Sequence, residues 1–136
     1  MFIRLIAVLA LTVLPAGIAA ADDPTSTVTV VFDQELPNAP GMSMRVVLVE
    51  YPPGGASPAH THPATAFIYA TVLEGAIRSK VNDGPEEVFE AGESWTEMPG
   101  DHHAVSANAS DNEPAVLKAV FVLDSRETDL VTVDPQ

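Results

Sequence analysis

Alternation of apolar and polar residues governs most of this chain. Thr27–Asp33 (TVTVVFD) and Met44–Tyr51 (MRVVLVEY) are rich in β-branched side chains, and each predicts a strand. Ala66–Leu73 is an apolar run closed by Glu74-Gly75; Ala76–Val81 follows and ends at the turn signal Asn82-Asp83-Gly84-Pro85. Shorter strands are predicted at Val88-Phe89, Trp95–Glu97 and Ala104–Ser106, a longer one at Ala115–Leu123, and a last one at Asp129–Val133. No stretch holds a sustained helical period with caps. Short strands parted by Gly, Pro, Asn and Asp predict an all-β fold, an antiparallel sandwich or barrel. Open edges in such folds invite a second chain, so a homodimer is the default expectation.

The first 21 residues follow a different pattern. Arg4 precedes an apolar run from Leu5 to Leu14, and Pro15 and Gly17 then disfavour a continuing helix. Ala19 and Ala21 stand three and one residues before a cut at Asp22, which is the layout of a signal peptide. A membrane span needs about 20 apolar residues in a row, and this run is half that. The organisation expected is a signal peptide at 1–21, a lead-in and first strand at 22–43, a barrel at 44–123, and a C-terminal strand and tail at 124–136. The product is expected to be exported, periplasmic or secreted, with no membrane attachment after cleavage.

Composition narrows the function classes. The 136 residues fit one domain. Nineteen acids oppose six bases, for a net charge of −13. Cleavage before Asp22 removes Arg4 and no acid, leaving 5 − 19 = −14. Such acidity argues against nucleic acid or an anionic membrane as partner, since phosphates need clustered Lys and Arg. The absence of cysteine excludes disulfides, thiolate metal sites and cysteine nucleophiles. No G-x-S-x-G, P-loop or G-x-G-x-x-G stands in the chain.

The chemistry left is that of histidine. All four fall in two places, His60-Thr61-His62 and His102-His103. Residues i and i+2 of a strand share a face, so His60 and His62 can aim at one point. His102 and His103 are adjacent, so only one can join them. Three imidazoles around one ion, with a position left for water or substrate, form an open catalytic arrangement. An HxH pair by itself is as readily a surface accident, and a metal-free barrel with idle histidines is the bland alternative.

The surroundings of the histidines make the chain resemble a cupin, and the small single-domain cupins most. Gly54 lies six before His60, Gly75 ends the first motif, Gly92 opens the second, and Gly100 and His103 match its final glycine and histidine, with Asn108 one residue late. The resemblance implies a cupin-type antiparallel β-barrel, or jelly roll. It also implies one divalent transition metal (Fe, Cu, Mn, Ni or Zn) held by His60, His62 and His103. The glutamate slot falls on Ala66, Phe67 or Ile68, none of which has a carboxylate, and Met98 stands in the proline slot. Glu97, six before His103 and on one face with Trp95, is the best replacement carboxylate, although a solvent-facing strand acid is the default. His102 is expected to be exposed or to steady a neighbour, and a register change at Pro99 would exchange it with His103. Phe67, Tyr69, Trp95, Met98 and Phe121 are pocket candidates, with Glu50 and Arg78 as polar wall residues.

Two functions follow from the resemblance. One is a metal-dependent, dioxygenase-like enzyme on a small organic substrate. The other is a non-catalytic module that binds metal or a small ligand. Imidazole must be neutral to bind, so release of the ion is expected below about pH 6.5.

Overall fold

The structure, a computed structural model, describes residues 25–136. The expected signal peptide at 1–21 lies outside the described residues. Eleven strands occur in the order β1 (Thr27–Glu35), β2 (Met42–Tyr51), β3 (Ala56–Ser57), β4 (His60–Thr61), β5 (Phe67–Glu74), β6 (Ala76–Val81), β7 (Glu87–Glu90), β8 (Ser94–Glu97), β9 (His102–Asn108), β10 (Ala115–Asp124) and β11 (Thr132–Val133). No helix is present among the described residues. One sheet runs β1-β2-β10-β5-β8; the other runs β11-β4-β9-β6-β7, with β3 also on β9. Every pairing is antiparallel. The fold is all-β, as the alternation predicts.

Strand parity decides what faces inward. Along β10, Ala115, Leu117, Ala119, Phe121 and Leu123 are buried, while the residues between them are partly exposed. Val47, Val49 and Tyr51 of β2 and Ile68, Ala70 and Val72 of β5 complete this face. Each buried Val, Leu, Ile or Phe side chain contributes about 1.5–3 kcal/mol through area removed from water. Residues of both sheets, Val47 and Leu117 on one and His60 and Ser106 on the other, line a single cavity between them. Strands outside 44–123 join the barrel too. β1 extends one sheet and β11 the other. Among the described residues β1 pairs only with β2 and is exposed along its whole length, so nothing described covers its outer edge.

Two glycines show why the motif needs them. Gly75 and Gly92 take φ of +69° and +92°, a region other residues enter at a cost. At Gly75 an added Cβ would also lie 2.5 Å from the Pro114 carbonyl oxygen. Gly75→Ala is therefore expected to cost more than about 2 kcal/mol, the left-handed φ and the clash adding. The drop in denaturant midpoint measures it; a loss under about 0.5 kcal/mol would mean the β5–β6 turn relaxes freely. Asn108 is structural. Its Nδ2 donates to the carbonyls of Pro52 and Glu113 at 3.0 and 2.7 Å, closing the loop before β10.

Candidate metal centre

The ladder brings the two histidine motifs together. β4 pairs with β9 so that His60 stands opposite His103 and Thr61 opposite His102. His103 thus points inward with His60, and His102 outward. After Thr61 the chain leaves the ladder, and the His62 N–H donates to the Asp101 carbonyl at 3.1 Å. His60, His62 and His103 are all buried, with ligand atoms within 4.8 Å of one another. His102 is half-exposed; its Nε2 sits 2.8 Å from Asp134 Oδ2.

Backbone carbonyls orient two of the rings. His60 Nδ1 donates to Pro58 O at 2.7 Å and His62 Nδ1 to Leu130 O at 2.9 Å. A carbonyl only accepts, so each ring carries a proton on Nδ1, and in its neutral form the Nε2 lone pair is the one left for a ligand. His103 Nε2 lies 2.9 Å from Ser79 Oγ, and its Nδ1 is 3.3 Å from Glu97 Oε1. The Ser79 hydroxyl donates or accepts, so it serves either tautomer of His103.

Glu97 is buried, 2% exposed, and this overturns its default reading as a solvent-facing acid. It stands directly opposite Ile68 across the β5–β8 ladder. Its Oε1 accepts from Trp95 Nε1 at 3.0 Å. Its Oε2 lies 3.0 Å from His62 Nε2, yet has no hydrogen-bond donor. In the neutral Nδ1–H form of His62, whose N–H goes to Leu130, a lone pair faces this oxygen, and only a protonated His62 would give it a hydrogen. Two acceptors held this close in a buried site are satisfied by a cation between them. The residues present therefore fit a metal ion.

Burial sets the protonation states. It pushes His103 down to about 4, against the opposing pull of Glu97, and lowers His60 as well. Burial would raise the Glu97 carboxyl, but His62, His103 and the Trp95 N–H together hold it below the ordinary carboxylate range. As pH falls, the unfolded chain takes up the proton near 6.5, before His103 does so in the folded protein. Metal-free protein is thus expected to lose stability between about pH 6.5 and 4, by roughly 3 kcal/mol from His103 alone. Denaturant midpoints in chelator across that range test this; a flat profile would contradict it. The same burial moves proton competition for an ion below the value expected of free imidazole.

The rings cluster under an apolar cavity of about 170 Å³. Phe121 lines it and packs on the His62 ring with centroids 5.5 Å apart. Trp95 does not line it; the indole sits behind Glu97, stacked on Phe89 at 4.7 Å. Phe67, Tyr69 and Met98 are exposed and absent from its walls. Parity explains the first two, because Ile68 and Ala70 hold the inner face of β5. Glu50 faces solvent, as does Arg78, which pairs with Glu86 at 2.8 Å. Sequence reasoning missed Tyr51 and Ser106 as wall residues, although alternation from Val47 through Val49 places Tyr51 inward. It also missed Leu130, whose carbonyl orients His62.

The Cupin domain family profile matches residues 47–123. The chain belongs to the cupin family. A protein of Oryza sativa subsp. japonica that bears the name germin-like protein 8-1 is 28% identical over 114 residues, 79% of this chain and 50% of its own length. The cupin chain thus spans about half of that relative. A protein with a double-stranded β-helix domain from Klebsiella pneumoniae subsp. pneumoniae MGH 78578 has a similar fold (TM-score 0.63, 19% identity, 88% of this chain and 91% of that one). Oxalate oxidase in complex with glycolate is similar as well (TM-score 0.57, 24% identity, 82% and 56%). Within this cupin, Ile68 lines the cavity and pairs directly with Glu97 across the β5–β8 ladder.

Proposed function

We propose that this cupin is a metal-dependent, oxygenase-like enzyme that holds one divalent transition ion through His60, His62, His103 and Glu97 and acts on a small organic substrate. The unsatisfied Oε2 of buried Glu97, 3.0 Å from His62 Nε2 and beside three clustered buried imidazoles, carries the reading. Imidazole-rich sites suit Fe, Cu, Ni and Zn, and a carboxylate adds Mn. A bound ion would supply Lewis acidity and, if redox-active, oxygen chemistry. The chain's own residues do the rest. Pro58 and Leu130 fix two rings, Ser79 steadies the third, and the apolar walls exclude water around the substrate. Glycolate in the fold relative oxalate oxidase supports a small organic ligand in such a cavity.

Elemental analysis of protein taken from its own compartment tests the ion, with about one equivalent per chain expected from one site. Oxygen uptake on adding small phenols or diketones tests turnover. A chain without metal overturns the reading. Metal without turnover across substrate classes favours the second reading, a binding module. One observation supports that alternative: among the described residues the cavity-lining carboxylate and imidazoles all belong to the metal group, leaving no separate general base there. Export and pairing through the β1 edge, uncovered among the described residues, belong to the same proposal, and rest on the layout of residues 1–21 and on strand order.

A further inference from the structure

Among the described residues, away from the imidazoles and Glu97, the side-chain polar groups lining the cavity are hydroxyls: Ser26, Tyr51, Ser57 and Ser106. They form one chain. Ser106 Oγ lies 2.7 Å from the Tyr51 hydroxyl, which lies 3.1 Å from Ser57 Oγ, which lies 2.9 Å from Ser26 Oγ. Four hydroxyls bring four donors, and the three links use three. One O–H is left over, and because hydroxyl rotors reverse, the chain presents either a donor or an acceptor. Tyr51 and Ser106 are 2% and 4% exposed, so at that end this capacity faces the cavity rather than bulk water. Burial raises the Tyr51 phenol above its ordinary value, which keeps it a donor at neutral pH.

The other walls are apolar, including Val47, Val49, Leu117 and Phe121, and among the described residues no Lys or Arg lines the cavity. A dianion entering here would meet Glu97 with no cationic side chain to offset it. A molecule of low charge would bury its body against these walls and leave its oxygens to be matched.

We infer that Tyr51, Ser57 and Ser106 form a second recognition point, which hydrogen-bonds an oxygen of a substrate whose other end sits at the histidine centre. The inference rests on the metal-dependent reading above. It names the substrate class as a neutral or singly ionised organic molecule with a short apolar body and an oxygen function at each end.

The same hydroxyls also stitch the two sheets together, so the test reads a ligand as well as stability. The zinc-loaded full chain is titrated by calorimetry with glycolate, 3-hydroxypropionate and 4-hydroxybutyrate, and in parallel with acetate, propionate and butyrate. At the matching chain length the added hydroxyl is expected to tighten binding about tenfold. Tyr51→Phe, and separately Ser106→Ala, should abolish that increment while the plain acid binds as before and zinc content holds. An increment that survives both substitutions, or none at any length, overturns the inference. If the chain retains no zinc, the metal reading fails on its own. In that case 1,4-butanediol against 1-butanol on metal-free protein reads the same increment. Its loss in both variants supports the hydroxyl site, and its persistence or absence overturns it.

Discussion

Alanine at His60, His62 or His103 is expected to remove stoichiometric metal, whereas His102→Ala leaves it in place. The expectation follows from the β4–β9 register, which sets His103 opposite His60 and turns His102 to the outside. Losing one of three imidazoles from a site whose whole binding energy is of order 10 kcal/mol should weaken affinity by roughly a hundredfold or more. His102 holds the C-terminal strand from outside through Asp134 at 2.8 Å, an exposed pair worth at most about 1 kcal/mol. Elemental analysis of the four variants, each checked for a cooperative unfolding transition, decides the matter. Equal metal loss from His102→Ala would overturn the ligand assignment. His62→Ala carries a second consequence. It frees the Leu130 carbonyl, so the strap before β11 should loosen and its amides exchange faster.

Glu97→Gln is expected to act with opposite signs on metal and on stability. Glutamine keeps the volume of Glu97 and an oxygen to accept from Trp95 Nε1. Its amide N–H can donate to Nε2 of a neutral His62, where the carboxylate would set one lone pair against another. The metal-free variant should therefore be as stable as wild type or more so, by about 1 kcal/mol. Metal affinity should fall at least tenfold, because the charge that balances the ion is gone. Calorimetric metal titration and thermal unfolding of the same preparations give both numbers. Unchanged metal affinity would reduce Glu97 to a structural partner of Trp95. Trp95 is the single tryptophan of the chain. Its indole centroid lies 6.1 Å from that of His103, so its fluorescence also reports occupancy of the site.

Much of this protein is legible along the chain, because strands write their burial at a period of two. The longer strands, from β1 to β10, are readable as alternation or apolar runs between turn residues. The spacing of Gly54, His60, His62, Gly75, Gly100 and His103 marks the two motifs without coordinates. Adjacency of His102 and His103 already requires that one leave the site. β3 and β4 are not legible in this way, since two residues hold no period, and only their pairing with β9 makes them strands.

Apolar character alone does not say which face of a strand a residue takes. Phe67 and Tyr69 look like pocket residues in one dimension, yet Ile68 and Ala70 claim the inner face and turn them to solvent. Glu97 shows the same limit from the polar side. Its sequence neighbours fit a surface acid, and only the ladder with β5 sets it against Ile68 and beneath the histidines. Local period and turn chemistry thus determined the longer strands and the class of fold, and the likeness to the cupin motifs singled out His60, His62 and His103, which the fold brings close together. Register between strands distant in sequence decided where the carboxylate stands, which aromatic rings touch the cavity, and how Tyr51, Ser57 and Ser106 come to share hydrogen bonds. That register is set by turn geometry and by the packing of two sheets at once, an interaction among many residues that no single segment encodes.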